Sequence, residues 1–375
     1  MVKAAVMTEP GSMLIEGFEK PEVGSNSMLL RTEIAGICGT DVHMFQGHLS
    51  SVSFPIIPGH EYVGKIEKMG IGGADMELGG HDLQVGDRVA VVPCIPCGKC
   101  YYCKSVPSRL NLCENRVCYG ITMSCRDPPH LLGAMAENLY VMPRSRVCKI
   151  PEDMPSELAV LVEPLAAATR GLERAFQPGL PYAHEGFGIE KSIVVQGVGP
   201  IGLLAVIAAR VSGAGMIIAV DSIDLRLKTA EEFGANAAIN MRDFPQEEDR
   251  VQKVRQLTSG RGADIVLECA GVPSAFAEGI RYVRRGGKLV ELGHYANSGM
   301  TQLNPRDICW RDIDLHGSWS YLPSQFETAM NLLYHQRDRF SFKNLITHRF
   351  HLEEAARGIE KMSAKEESIK VVITP

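Results

Sequence analysis

The stretch Ser192-Ile193-Val194-Val195-Gln196-Gly197-Val198-Gly199-Pro200-Ile201-Gly202, closed further on by Asp221, decides how this chain folds. Residues 192–220 are nearly uncharged, with Arg210 the only formal charge. A membrane-spanning helix needs about 20 continuous apolar residues. Here Gly197, Gly199, Pro200, Gly202, Gly213 and Gly215 interrupt the run. It divides into a β-branched piece at 193–196, a helix-length apolar piece at 201–211 and a second strand-like piece at 216–220. Parallel strands covered on both faces read as solid apolar runs, so a buried strand–helix–strand unit accounts for the pattern.

Gly197-Val198-Gly199-Pro200-Ile201-Gly202 has the G-x-G-x-x-G spacing of a turn that receives a dinucleotide pyrophosphate. The first glycine permits the tight turn, the second lets the backbone approach the phosphates, and the third lets the helix pack close to the sheet. The helix N-terminal amides then face the phosphates. Pro200 suits a first helical turn, where its missing N–H has no partner to lose. Asp221 lies 19 positions beyond Gly202 and ends the next strand. A carboxylate there accepts hydrogen bonds from an adenosine ribose and repels a 2′-phosphate, which favours NAD over NADP. A helix cap or a solvated turn carboxylate is the alternative reading. Arg226 either flanks the adenosine or lies exposed.

Working outward, strands and helices alternate from residue 191: a helix over 224–233 closed by Gly234, then strands at 263–267 and 288–292. Such alternation argues an α/β, doubly wound parallel sheet. Before residue 165 the texture differs, with short β-like runs at 28–34, 62–69, 88–92 and 138–141 divided by turns such as Gly86-Asp87. Residues 70–83, rich in glycine, read as a flexible surface hairpin. From 313 onward come helical stretches around 326–333 and 352–362 and a last strand at 369–373.

The length of 375 residues allows two cores, and the 45% apolar and 22% charged fractions are those of an ordinary globular protein. A net charge of −5 provides no basic stripe for a phosphate backbone, so nucleic acid is not expected as a partner. Residues 1–10 are too short and mixed for an export signal. The 11 cysteines are therefore expected as reduced thiols or metal ligands in a cytoplasmic protein, not as a disulfide framework.

Cys94-Ile95-Pro96-Cys97-Gly98-Lys99-Cys100-Tyr101-Tyr102-Cys103 sets four cysteines at intervals of three, and Cys113 follows. Four thiolates around a small loop suit tetrahedral zinc, with one of the five left over. An iron–sulfur cluster uses similar steps, so spacing alone leaves both open. Elsewhere, Cys38-Gly39-Thr40-Asp41-Val42-His43, Gly59-His60-Glu61 and Glu163-Pro164 offer sulfur, nitrogen and oxygen donors. Three such ligands leave a catalytic zinc one position for water or an alcohol.

Taken together, these motifs, with Gly86-Asp87-Arg88-Val89 and Ile346-Thr347-His348-Arg349-Phe350, resemble the zinc-dependent medium-chain alcohol/polyol dehydrogenase family over nearly the whole length. The resemblance implies a GroES-like β-rich catalytic domain (1–164 and 313–375) with a structural-zinc lobe. A Rossmann NAD-binding domain, 165–312, interrupts it. It also implies one catalytic and one structural zinc per chain. Cys38, His60 and Glu163 would surround the catalytic zinc, with Glu61 as an alternative or exchanging ligand and Asp41 orienting His60. Cys97, Cys100, Cys103 and Cys113 would hold the structural zinc, leaving Cys94 outside. The interval from Cys103 to Cys113 is longer than the resemblance leads one to expect.

The implied chemistry is hydride transfer between a small-molecule alcohol and NAD. Zinc would lower the pKa of the bound alcohol, Thr40 would take the proton and His43 would pass it outward. Arg349 would approach the cofactor pyrophosphate or form a surface salt bridge. Glu163, where some relatives have cysteine, leans toward the polyol, butanediol and threonine branches. A homodimer or homotetramer without a membrane partner is expected. The competing reading from another class is a non-catalytic nucleotide-binding protein of the same fold.

Overall fold

The segment 192–221 forms the middle of a six-stranded sheet in which every pairing is parallel. Across the sheet the strands run Ala237–Asn240, Met216–Asp221, Ser192–Gln196, Ala263–Glu268, Val283–Glu291 and Asp314–Gly317. The chain thus starts at the centre, winds to one edge, and then returns to wind to the other. This reversal beside Ser192–Gln196 is where a doubly wound sheet opens its ligand crevice, and the glycine turn sits there. Ile193, Val194 and Val195 are fully buried, as are most side chains of the following helix Pro200–Val211. Burial of both explains why the only charge they carry is Arg210, in the last turn of the helix and not fully buried.

The computed structural model describes residues 1–50, 52–176 and 187–375, and contains two compact units. One is Met1–Ala166 with Leu322–Pro375, and the other is Ala167–Tyr321. The discontinuous unit is built on a seven-stranded sheet. Its strands run Ile346–His351, Lys370–Thr374, Met28–Ile37, Glu61–Met69, Arg88–Val92 and Arg146–Lys149, and Asn138–Val141 also pairs with Met28–Ile37. All pairings are antiparallel except that of Ile346–His351 with Lys370–Thr374, which the helix Ala355–Ser363 connects. The C-terminal strand therefore packs beside a strand from the first tenth of the sequence, and Val372 lies opposite Gly36. Among the described residues no helix is long and apolar enough to cross a membrane.

Two sequence expectations are corrected here. Residues 70–83 are not a loose hairpin: they hold a 3-10 turn at Gly73–Met76, Met76 and Leu83 are buried, and Glu77 accepts the Lys149 amide at 3.1 Å. The leftover Cys94 is not a free thiol, and neither is Cys118. They form a disulfide, because the short strands Cys94–Ile95 and Val117–Cys118 pair antiparallel with the two cysteines opposite each other, 4.2 Å apart at Cα. The expectation that all the cysteines are thiols or metal ligands fails at this pair.

Candidate functional site

The register of two strands builds the first donor group. Met28–Ile37 and Glu61–Met69 run antiparallel with Gly36 opposite Glu61. Residues just beyond one strand's end and just before the other's start are thereby brought together. Cys38 follows the first and His60 precedes the second. Ligand atoms of Cys38, His60 and Glu61 all lie within 4.8 Å of one another.

Asp41 organises this junction from complete burial. Its Oδ2 accepts the Cys38 amide at 2.8 Å, the capping contact at the start of the helix Gly39–Phe45, and its Oδ1 accepts the Gly59 amide at 3.0 Å. The same Oδ1 stands 3.9 Å from His60 Nδ1, too far for a hydrogen bond. One carboxylate thus fixes the backbone leading into both donors. Thr40 is buried on the same helix, its hydroxyl 3.8 Å from the Cys38 sulfur.

Glu61 is fully buried and crosses over Gly36, where a Cβ would stand only 1.9 Å from Glu61 Oε2. Its Oε1 accepts a hydrogen bond from Lys370, a residue that sequence reasoning missed. Lys370 is itself buried, and its ammonium also donates to Ile37 O at 2.9 Å. The available signal was a single lysine inside the otherwise apolar terminal strand.

Two atoms of this cluster, His60 Nδ1 and Glu61 Oε2, are buried with no hydrogen-bond partner. Buried polar atoms are rarely left so. Burial disfavours a charged His60, but the negative charges of Asp41, Cys38 and Glu163 outweigh it and raise the imidazole to about 10. A positive charge is favoured at this position, and the sulfur, nitrogen and oxygen donors fit zinc. Glu163 lies in the first turn of the helix Val162–Ala175, half-buried. Its charge acts on His60 and Lys370, but the close three-residue group contains Glu61 and not Glu163.

The sulfurs of Cys97, Cys100, Cys103 and Cys113 form the second group, also within 4.8 Å of one another. Zinc–sulfur bonds of about 2.3 Å in a tetrahedron place sulfurs roughly 3.8 Å apart. Cys100 lies 3.5 Å from Cys103 and 3.8 Å from Cys113. The Lys99 and Cys100 amides stabilise a thiolate at Cys97 and bring it down to about 6. The Cys97 amide in turn points at Cys113 Sγ at 3.2 Å. Amide donors around the sulfurs are the support a tetrathiolate metal site requires.

In the unit Ala167–Tyr321, Gly197 has φ +81°, and a Cβ there would stand 2.6 Å from Ala270 backbone atoms. Gly199 precedes the helix, and Pro200 opens its first turn ahead of Ile201 and Gly202. Asp221 reaches back to this turn. Its Oδ2 accepts the Val198 amide at 2.9 Å, and its Oδ1 accepts the Ser222 and Ile223 amides at 2.7 and 3.1 Å. Arg226 is buried, its guanidinium 3.6 Å from where a Cβ on Gly199 would stand. Arg349, in the other unit, donates to Glu157 at 2.6 Å in a half-exposed salt bridge.

A third group, Glu268, Glu291 and His294, was missed from the sequence. It lies at the ends of strands Ala263–Glu268 and Val283–Glu291 and is internally hydrogen-bonded, His294 Nδ1 to Glu291 Oε1 at 2.8 Å. Glu268 also accepts the Ala270 and Gly271 amides at 2.8 and 3.1 Å.

Comparison with known proteins gives consistent matches. Residues 24–152 match the alcohol dehydrogenase GroES-like domain, and residues 200–335 match the zinc-binding dehydrogenase family. A 5-exo-hydroxycamphor dehydrogenase from Pseudomonas putida is 32% identical over 366 residues, covering 96% of each chain. A sorbitol dehydrogenase from Bacillus subtilis is 32% identical over 379 residues, covering 100% of this chain and 97% of its own. The crystal structure of an alcohol dehydrogenase from Thermotoga maritima superposes with a TM-score of 0.90 at 31% identity, covering 100% and 99% of the two chains.

Proposed function

Because the chain belongs to the zinc-dependent medium-chain alcohol/polyol dehydrogenase family, we propose that it oxidises a secondary alcohol, diol or polyol with NAD as the preferred acceptor. It is an alcohol- or polyol-acting oxidoreductase that uses zinc and a nicotinamide cofactor. One observation carries the reading: a cysteine–histidine–glutamate donor set, with His60 and Glu61 buried and Cys38 partly buried, adjoins a buried threonine.

Cys38 and His60 would hold the catalytic zinc, with Glu61 or Glu163 as the carboxylate. Zinc at such a site polarises an alcohol oxygen and lowers its pKa. Asp41 holds the two donor segments in place, Thr40 is positioned to accept the alcohol proton, and His43 passes it on. Cys97, Cys100, Cys103 and Cys113 would hold a second, structural zinc.

Gly197, Gly199, Pro200, Ile201 and Gly202 would receive the pyrophosphate, and Asp221 with Arg226 the adenosine end. The carboxylate of Asp221 supports NAD, since a 2′-phosphate would meet like charge. The discontinuous unit is then catalytic and Ala167–Tyr321 binds the cofactor. Arg349, paired with Glu157, would serve the cofactor pyrophosphate.

A homodimer is supported by the edge strand Asp314–Gly317, which among the described residues pairs on one side only and carries exposed Leu315 close in sequence to exposed Trp310. A cytoplasmic location keeps the lobe thiols reduced for zinc, whereas the Cys94–Cys118 bond favours a more oxidising compartment.

The test pairs metal analysis with an absorbance screen at the NADH band, using sorbitol, 2,3-butanediol, other polyols and simple secondary alcohols with NAD and NADP. The expected result is about two zinc per chain and NAD-dependent turnover of at least one alcohol. Iron in place of zinc would reverse the cysteine assignment, and silence across the panel would favour a nucleotide-binding protein without catalysis.

A further inference from the structure

We propose that His48 is the outer station of a proton path whose inner member is His43. The inference rests on the dehydrogenase reading and extends it to a residue outside the donor motifs.

The helix Gly39–Phe45 ends in a turn that depends on one glycine. Beyond the cap residue Gln46, Gly47 takes φ +74°. The His48 amide donates back to His43 O at 2.9 Å, and the Gly47 amide donates to Met44 O at 3.0 Å. This pair of bonds is the Schellman ending, which needs a left-handed residue at the Gly47 position. It turns the backbone so that the residue after the glycine comes back beside the residue five positions earlier.

Here both residues are histidines. Their rings lie 5.6 Å apart at 47°, with Nδ1 of His43 3.3 Å from Nδ1 of His48. Two imidazole nitrogens at that distance share one proton, one ring donating and the other accepting. His43 is half-buried and His48 is exposed. Burial, and then the charges of His48 and Lys365, disfavour a charged His43. A ring held neutral can receive a proton, and its neighbour in water can release one. On the inner side, Thr40 and His43 are three apart on the helix and share a face, and Thr40 stands beside Cys38.

The proton count closes. Oxidising an alcohol with NAD sends one hydrogen, with the C–H electron pair, to the nicotinamide and releases the O–H proton. That proton enters His43 at one ring nitrogen while the proton on Nδ1 passes to Nδ1 of His48. His48 returns one proton to water from its other nitrogen, so each ring gains one and loses one. His48 touches neither substrate nor cofactor; it acts through His43.

The test uses His48→Gln, with His43→Gln as reference, in sorbitol or 2,3-butanediol oxidation with NAD in dilute buffer. His48→Gln should lower kcat roughly tenfold, less than the 10²–10⁴ of a directly positioned acid–base group. KM should be unmoved, and added imidazole should restore the rate. Independently of turnover, NMR titration should find the His43 imidazole moved upward in His48→Gln, because a like charge has gone. Wild-type kcat in His48→Gln, a loss that imidazole leaves unrepaired, or an unmoved His43 titration would each overturn the proposal. If His43→Gln is slowed while His48→Gln is not, only this proposal falls. If His43→Gln also runs at the wild-type rate, the assignment of His43 under the dehydrogenase reading falls with it.

Discussion

Replacing Lys370 with methionine removes the cation that the structure sets against Glu61. Both side chains are buried, Lys370 at 1% exposure and Glu61 at 0%. Deleting one partner of a buried ion pair costs about 3–5 kcal/mol, because the remaining charge stays desolvated without its counterion. In the metal-free protein a protonated His60 offsets only part of this, and Glu61 Oε2 has no hydrogen-bond partner. The bond from Lys370 to Ile37 O goes as well, and an unpaired buried carbonyl adds about 1 kcal/mol or more.

The cost should depend on zinc. With zinc held by Cys38 and His60, a Glu61 oxygen is within ligand reach, and the freed carboxylate gains a new cation. The zinc-loaded Lys370→Met protein should therefore lose less stability than the metal-free one. Linkage converts the difference into tighter zinc binding: about 2 kcal/mol corresponds to roughly thirtyfold. The assay is urea unfolding of wild type and variant, with and without chelator. Circular dichroism is the appropriate signal, because Trp310 and Trp319 both lie in the other unit. Adding Glu61→Gln should recover most of the loss, since neither buried charge then remains. A metal-free loss below about 1 kcal/mol, or equal losses with and without zinc, would refute the reasoning.

Two further perturbations follow from the same structure. Cys94 and Cys118 close a loop of 24 positions, for which chain entropy gives about 3.5 kcal/mol. Cys94→Ser should lose up to that amount in chelator and less with zinc, which at the proposed four-thiolate site would tie residues 97–113 together; equal urea midpoints for the oxidised wild type and the variant in chelator would contradict this. Burial, and then the neighbouring Glu291, push the Glu268 carboxyl up from 4.5 to about 8. The folded protein then keeps a proton that the unfolded chain releases, so this group's stabilisation is complete below 4.5 and is lost as pH rises through 8. The stability gap between wild type and Glu268→Gln should drift against the wild type over that window in unfolding midpoints taken across pH, and a gap that stays flat would show that Glu268 titrates normally.

What the sequence disclosed and what it withheld divide along sequence distance. The clustering of Cys97, Cys100, Cys103 and Cys113 was legible because all four come from one short segment, and the glycine turn because strand, turn and helix follow one another directly. Lys370 was not. Its partner Glu61 lies 309 positions earlier, and only the register placing Lys370–Thr374 beside Met28–Ile37 makes them neighbours. The disulfide was obscured for a different reason. An argument about compartment treated all the cysteines alike, whereas the pairing of Cys94–Ile95 with Val117–Cys118 is geometric. His48 needed the helix ending, and two histidines straddling Gly47 mean little until Gly47 is known to turn the chain back.

The charges at the Cys38 site show why a buried lysine belongs there. With zinc at the proposed site, a Cys38 thiolate and the Asp41 and Glu61 carboxylates would bring three negative charges to one largely buried junction, and Lys370 would return one. The remaining two are what a divalent cation neutralises. Glu163 adds a further negative charge, but it is half-exposed and sits at a helix N-terminus, where water and the helix dipole support it. Without Lys370 the same ligands would be over-charged against zinc, and zinc would bind more tightly while the empty protein became harder to fold. In the metal-free state a proton on His60 supplies part of the missing positive charge, which is why that imidazole rises to about 10. Zinc held by His60, as proposed, would have to displace this proton, so its affinity should climb with pH by up to tenfold per unit for each proton released. An affinity that does not change between neutral and mildly alkaline pH would mean that His60 holds no proton for zinc to displace.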